Sequence, residues 1–271
     1  MKITDDEFYK LSSFIKAKAG VDLKANKKAL VVLRLSRRLE VLELTTFQAY
    51  YKYLIEDKDG TELHYFIDQI TTHYTFFLRE NEQFRFFEQN ILPEITSNIF
   101  DGDLRIWSAA SSTGEEAYTI AMILEDFFGF GKREWNKELL ATDIARKVID
   151  KANLGIYTKA EMTGIPDIWL SRYFDKIDET HYQIKAFLRN EIIFRCFNLL
   201  EIEYPFKRKF HVIFCRNVLI YFDKETKFEV IRKLKDNLEI GGYLILGLSE
   251  AINYRENELT YVQPSIYRKE Q

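Results

Sequence analysis

The sequence predicts an α/β protein in two parts. An all-helical N-terminal domain is expected over residues 1–75. A doubly wound, mostly parallel-sheet domain follows over 76–271, with 157–195 as the place for a small inserted antiparallel β subdomain. Three observations carry this. No strand-like run occurs before residue 100. Beyond it, short runs rich in β-branched and aromatic residues alternate with helical stretches, the pattern of a parallel sheet covered on both faces. And in LRIWSAASSTGEEAYTIAMIL (104–124) a strand passes into a helix through a loop of small residues.

The first helix is TDDEFYKLSSFIKAKAG, with Thr4 as N-cap, acids in the first turn and Gly20 as the stop. The second spans about Asn26 to Leu44. Val32, Leu35, Leu39 and Leu42 recur at three- and four-residue steps and predict a buried stripe. Lys27, Arg34, Arg37 and Arg38 fall on another face. TTFQAYYKYLIED makes a third helix. The sheet is expected from LRIWSAA, ELLATDI, EIIFRCFN, FHVIFCRNV and GGYLILGLS, while HYQIKAFLRNEIIF has the composition of extra antiparallel strands.

In open α/β sheets, ligands bind beyond the carboxyl ends of the strands, where SAASSTGEE is placed. A phosphate ligand would want a lysine and bare N–H groups at the helix start. Here Glu115 and Glu116 stand instead, and they favour a ligand with a cationic centre. S-adenosylmethionine carries an ammonium and a sulfonium and no phosphate. Asp143, closing the second strand, suits the two ribose hydroxyls of such a ligand, or it caps the helix that follows. Taken alone, Glu115 and Glu116 also read as acids that favour a helix dipole.

The 271 residues, 46% hydrophobic and 30% charged, are ordinary for a globular chain. The net charge of −3 gives no overall field for nucleic acid, and aromatic residues do not interleave the basic ones. Cys196 and Cys215, in apolar runs, read as buried thiols of a reducing compartment. MKITDDEF lacks the apolar core of a signal peptide, and no apolar run reaches membrane-spanning length, so a cytoplasmic protein without membrane insertion is expected. His64, His73, His181 and His211 lack ligand spacing, so no metal is expected. A monomer is expected.

Five stretches in order give the chain its likeness to a known family: TTHYTFFLRE (71–80), WSAASSTGEEAYTIAM, ATDIARKVIDKANLGIY, FNLLE (197–201) and FCRNVLIYFDKET (214–226). Together they resemble the chemotaxis receptor methyltransferase family, CheR, over nearly the whole chain. The resemblance implies an S-adenosylmethionine-dependent domain that methylates glutamate side chains on the cytoplasmic helices of chemoreceptors. Glu116 and Asp143 match the main acidic contacts to the cofactor, and Asn198 and Leu199 match adenine-side contacts. Thr75 and Arg79 match the segment that closes over the methionine end, with His73 in the same segment. Asn217, Val218 and Tyr221 match the wall near the transferred methyl. Two residues depart from the family's T-x-N-x-T-x-F-F-R-E pattern: His73 replaces asparagine, and Leu78 the second phenylalanine. Since a histidine titrates near neutral pH, His73 bears on cofactor affinity and its pH dependence. His211 stands where an aspartate is common and has no assigned role.

A glutamate substrate, with a reference pKa of roughly 4.3, is ionised at neutral pH and needs no general base. Orientation and proximity then supply the acceleration. Arg79 is the expected orienting residue, because a guanidinium grips a carboxylate at two points. Tyr221 is expected to hydrogen-bond Arg79 or pack beside the methyl. The basic residues Lys27, Arg34, Arg37 and Arg38 are expected to dock the glutamate-rich receptor helices, the alternative being a solvated face. Two other readings keep the cofactor: a methyltransferase of the same fold acting on another protein or small molecule, and a non-catalytic S-adenosylmethionine-binding receptor module.

Overall fold

The computed structural model describes residues 2–129, 135–253 and 258–271. Helix α1 (Asp5–Ala19) starts in a capping box: the Thr4 hydroxyl accepts the Glu7 N–H, and the Glu7 carboxylate accepts the Thr4 N–H. It stops at Gly20, whose φ of 74° suits a residue without Cβ. A turn at Ala25–Lys27 leads into α2 (Lys28–Val41), then α3 (Phe47–Ile55) and α4 (Thr61–Ile70). Leu11, Ile15, Val31, Leu35, Leu39, Tyr50 and Phe66 are buried together between these helices. The stripe on α2 is therefore set by Val31 rather than Val32, which is half-buried.

The second part opens with α5 (Asn81–Phe86), a π turn and α6 (Leu92–Asn98). The chain then runs through β1 (Ile106–Ala109), α7 (Glu115–Phe128), β2 (Leu139–Asp143) and α8 (Arg146–Leu154). An excursion follows, with β3 (Ile156–Thr158), α9 (Asp167–Tyr173), β4 (Phe174–Lys176), β5 (His181–Ile184) and α10 (Ala186–Arg189). The chain returns through β6 (Ile192–Cys196), β7 (Phe210–Cys215), a turn at Leu219–Tyr221, α11 (Lys224–Asp236) and β8 (Leu238–Leu246). It finishes with β9 (Thr260–Gln263) and β10 (Ile266–Arg268).

Seven strands form one sheet in the order β6-β2-β1-β7-β8-β10-β9, parallel as far as β8 and antiparallel at β10 and β9. Alternation along the central strands feeds two cores. Ile106, Val212 and Phe214 pack with α7 and the α5–α6 region on one face, while Trp107, Ile213 and Cys215 pack with α11 on the other. The excursion makes a separate antiparallel sheet in the order β3-β5-β4. Of HYQIKAFLRNEIIF, only HYQI joins that small sheet. EIIF lies at the entry to β6, because parallel pairing with β2 buries Ile192 and Phe194.

The cysteines separate. Cys215 is buried, whereas Cys196, at the exposed end of β6, donates to the Ile144 carbonyl at 3.3 Å. The expectation of two buried thiols thus fails at Cys196, where the strand runs out past its cover.

Gly20 sits where the two parts meet. A Cβ there would fall 2.8 Å from Phe222 Cε1, so the tip of α1 approaches the sheet-containing part only because the residue is glycine. Around it the Asp22 N–H donates to the Tyr221 carbonyl at 2.9 Å, Asn198 Nδ2 donates to the Lys18 carbonyl at 2.8 Å, and Lys16 pairs with Asp223 at 2.6 Å.

Candidate active site

β1 and β2 end beside one another, and the small-residue loop turns sharply between β1 and α7. Ala110 (φ 65°) and Ser112 (φ 51°) both adopt the left-handed backbone region without being glycine, a cost that clusters at functional sites. Gly114 (φ 98°) admits α7 close to α8, since a Cβ would lie 2.9 Å from that of Ala152. The loop is pinned by the Ser111 N–H to the Thr142 carbonyl at 2.8 Å and by the Ser112 N–H to Asp143 Oδ2 at 2.9 Å.

Asp143 is buried, and its other oxygen accepts the Ala145 N–H at 3.0 Å just ahead of α8. Burial pushes its carboxyl above the usual range, against the lowering pull of that N–H, of His73 and of the Ser112 N–H. That bond closes a turn onto Ala145, which is itself the N-cap residue, so no side chain caps α8, and the same carboxylate also borders the cleft.

The two glutamates divide. Glu115 is 2% exposed, accepts from the Thr113 hydroxyl at 2.7 Å, and is pushed up in pKa by burial. Glu116 borders the cleft, its Oε1 accepting from the Ser108 hydroxyl at 2.8 Å and its Oε2 from Arg216 Nη1 at 2.9 Å. Of the acid pair that drew attention in the sequence, one member serves the packing of the loop and the other the cleft.

Arg216 organises the part of the cleft next to Glu116. Its side chain is 1% exposed. It donates to Gln83 Oε1 at 2.7 Å, to Glu80 Oε2 at 3.2 Å and to the Arg79 carbonyl, and stacks 4.8 Å from the Phe84 ring centroid. Glu80 also accepts from Asn217 Nδ2 at 3.1 Å and the Leu248 N–H at 3.0 Å. Burial alone would raise its pKa, but these donors and the Arg216 charge hold it below the ordinary carboxylate value. Behind them Glu250, fully buried, accepts the N–H groups of Asn217, Gly247 and Ile220 and fixes Asn217 at φ 59°. Sequence reasoning missed Arg216, Glu80 and Glu250. A signal was available for Arg216: a charge directly after the apolar run FHVIFC stands there only with partners.

His73, Thr75, Arg79, Glu116, Asp143 and Tyr221 all border one cleft, and Asn198, Leu199, Asn217 and Val218 border the same one. Burial lowers the His73 pKa against the pull of Asp143 and Asp68, and its ring lies 2.7 Å from the Thr71 hydroxyl. The Asn198 side chain is occupied, spanning from the Lys18 carbonyl to the Leu200 N–H. Arg79 does not pair with Glu80; its Nη1 donates to the Tyr74 carbonyl at 2.7 Å. Among the described residues, no hydrogen bond joins Tyr221 to Arg79.

The basic residues do not form one free stripe. Arg38 is committed to the buried Glu62, which also accepts from Tyr50 Oη at 2.8 Å. Arg34 Nη1 donates to the carbonyls of Gln69, Ile70 and Thr71, each at 2.9 Å, where α4 ends. These two brace the helical domain, because buried acceptors demand donors. Lys27, on the cleft rim, and Arg37 are exposed.

The residues present suit S-adenosylmethionine. The Ser111 hydroxyl is buried beside the cleft without a partner, the acids Glu116 and Asp143 line it as a ligand with positive charge would need, and no lysine stands at the start of α7. Among the described residues no group of His, Cys, Asp and Glu has a metal-holding arrangement, and no helix is long and apolar enough to cross a membrane.

Comparison with known proteins agrees. Residues 73–267 match the model of the "CheR methyltransferase, SAM binding domain" and residues 6–71 that of the "CheR methyltransferase, all-alpha domain". The chain is 35% identical over 272 residues to a chemotaxis protein methyltransferase of Borreliella burgdorferi, covering 99% of this chain and 96% of that one. It is 35% identical over 270 residues to the chemotaxis protein methyltransferase of Escherichia coli, covering 98% and 92%.

Proposed function

This chain belongs to the CheR methyltransferase family, and we propose that it methylates glutamate side chains on the cytoplasmic helices of chemoreceptors. When bound, S-adenosylmethionine supplies a methyl on a sulfonium, whose transfer to a carboxylate oxygen leaves a neutral thioether and a methyl ester. The observation that carries the reading is the cleft itself, which gathers the acids Glu116 and Asp143 with the Arg79 cation and Tyr221.

Each residue has work that follows from its place. Glu116, held by Ser108 and Arg216, presents a fixed acid to the cationic end of the cofactor. Asp143 keeps lone pairs for ribose hydroxyls beyond the two N–H groups it already accepts. Arg79 orients the incoming carboxylate, which arrives ionised, so no residue has to remove a proton. Tyr221 walls the reacting centre. Lys27 and Arg37 are the exposed cations left to attract an acidic helix.

The test is transfer of labelled methyl from S-adenosylmethionine to a cytoplasmic receptor fragment, followed by mild base. Label released as volatile methanol, and lost when the acceptor glutamates are changed to alanine, supports a glutamate ester. Base-stable label, or label on a small molecule alone, would overturn this substrate assignment.

A further inference from the structure

The open positions of the T-x-N-x-T-x-F-F-R-E pattern at 74 and 76 are filled here by Tyr74 and Phe76. Tyr74 is 72% exposed and Phe76 40% exposed, both on the rim of the cleft. Two large rings left in water beside an active site mark a contact surface. Their centroids lie 5.8 Å apart with 59° between planes, and the Arg79 guanidinium sits 5.7 Å from the first and 6.0 Å from the second.

The segment is held from beneath. Phe77 is buried edge-on against Tyr157 at 4.9 Å and Phe174 at 5.8 Å. Leu78 (φ 60°) and Glu80 (φ 56°) turn the chain back, and Glu80 is fastened by Arg216, Asn217 and Leu248. The exposed rings are thus a fixed platform, and a platform ordered beforehand loses little entropy on binding. Alongside it on the rim stand Lys27 and Lys24, the latter paired with Asp22. Apolar rings interspersed with cations complement a helix that alternates apolar residues with carboxylates.

We propose that Tyr74 and Phe76 are specificity-determining residues: they seat the apolar flank of the acidic substrate helix, with Arg79 beside both rings to take its target carboxylate. The inference rests on the glutamate-methylation reading and adds the surface that selects the protein substrate.

The experiment uses the full chain with Tyr74→Ala, Phe76→Ala and both together, with Phe76→Leu as the conservative control. S-adenosylhomocysteine affinity is measured by calorimetry. Affinity for a fluorescent receptor methylation-helix fragment is measured by anisotropy with that product bound, and KM and kcat come from methyl transfer. The double variant is expected to weaken helix binding and raise KM by about tenfold or more while kcat falls less, as loss of an aromatic contact does at an interface. Product affinity should stay within about twofold, since neither ring is assigned to the cofactor. Phe76→Leu should recover part of the loss. Unchanged helix affinity and KM would overturn the proposal, and so would product affinity that falls as far as helix affinity, which would place the rings on the cofactor. A wild-type chain that binds product yet neither binds nor methylates the fragment would overturn the glutamate reading itself.

Discussion

Arg216 Nη1 lies 2.9 Å from Glu116 Oε2, and the same guanidinium holds the carbonyl of Arg79 and the carboxylate of Glu80. One buried cation therefore joins an acid on the cleft to the turn that carries Arg79. Neither acid could be packed so close to the other without it, since like charges in a dry site repel strongly.

Removing that cation should be severe. Arg216→Met leaves Glu80 and Glu116 facing each other, and breaking a buried pair costs on the order of 3–5 kcal/mol. Arg216→Lys keeps the charge but loses the fork, so it should recover stability better than cofactor affinity. Thermal unfolding and calorimetry on the two variants separate these effects. Equal losses in both measurements would mean that the fork has no role beyond charge.

Asp143→Ala should weaken S-adenosylmethionine binding by more than about tenfold, the scale of a lost hydrogen bond to a charged group. Because Asp143 also accepts the Ser112 and Ala145 N–H groups, Asp143→Asn is the necessary partner variant. Affinity retained in both variants would remove the ribose role.

Arg79→Ala should lower kcat/KM for receptor methylation by at least about a hundredfold, as expected when an orienting contact is lost. Among the described residues its guanidinium is tied only to the Tyr74 carbonyl and two exposed rings, so the unfolding temperature should barely move. Methylation near the wild-type rate would end the orientation argument.

The basic residues of the helical domain should behave as two classes. Lys27→Glu with Arg37→Glu should raise KM for receptor, more so at low salt, and leave unfolding unchanged. Arg38→Ala should instead destabilise the fold, because Glu62, 3% exposed, loses its cationic partner and keeps only the Tyr50 hydroxyl among the described residues. Receptor kinetics indifferent to the first pair would leave those cations as a solvated face.

His211 sets a pH dependence. Its Nδ1 accepts the Arg105 N–H at 3.0 Å, and burial followed by the nearby Arg105 charge lowers its pKa from 6.5 to about 4. Between those values the unfolded chain takes up a proton that the native chain refuses. This group's contribution to stability is therefore present above pH 6.5 and declines as pH falls toward 4. His211→Gln should flatten that part of the stability profile, as measured by denaturant unfolding across the interval. A profile parallel to wild type would assign the acid sensitivity elsewhere.

Much of the fold was legible because local signals agreed with the global arrangement. Thr4 and Glu7 cap α1, Gly20 ends it, and the runs LRIWSAA, ELLATDI and FHVIFCRNV contain the central strands IWSA, LLATD and FHVIFC. That Glu116 and Asp143 line one cleft was legible because Asp143 ends β2 and Glu116 starts the helix after β1. Arg216 and Glu250 were not, since they act through partners far apart in sequence, such as Gln83 and Gly247. Arg34 and Arg38 misled for the same reason. A helical spacing shows which residues share a face, but not that Glu62 and the end of α4 cover it.

The most direct measurement is calorimetric titration of S-adenosylmethionine and S-adenosylhomocysteine into the wild-type chain and into Glu116→Gln. This variant keeps the shape beside Ser108 and removes the charge. Binding at about micromolar Kd is expected in wild type, weakened by more than about tenfold in the variant. Wild-type affinity retained in Glu116→Gln, or no binding to either chain, would contradict the claim that this cleft holds the cofactor through its acid.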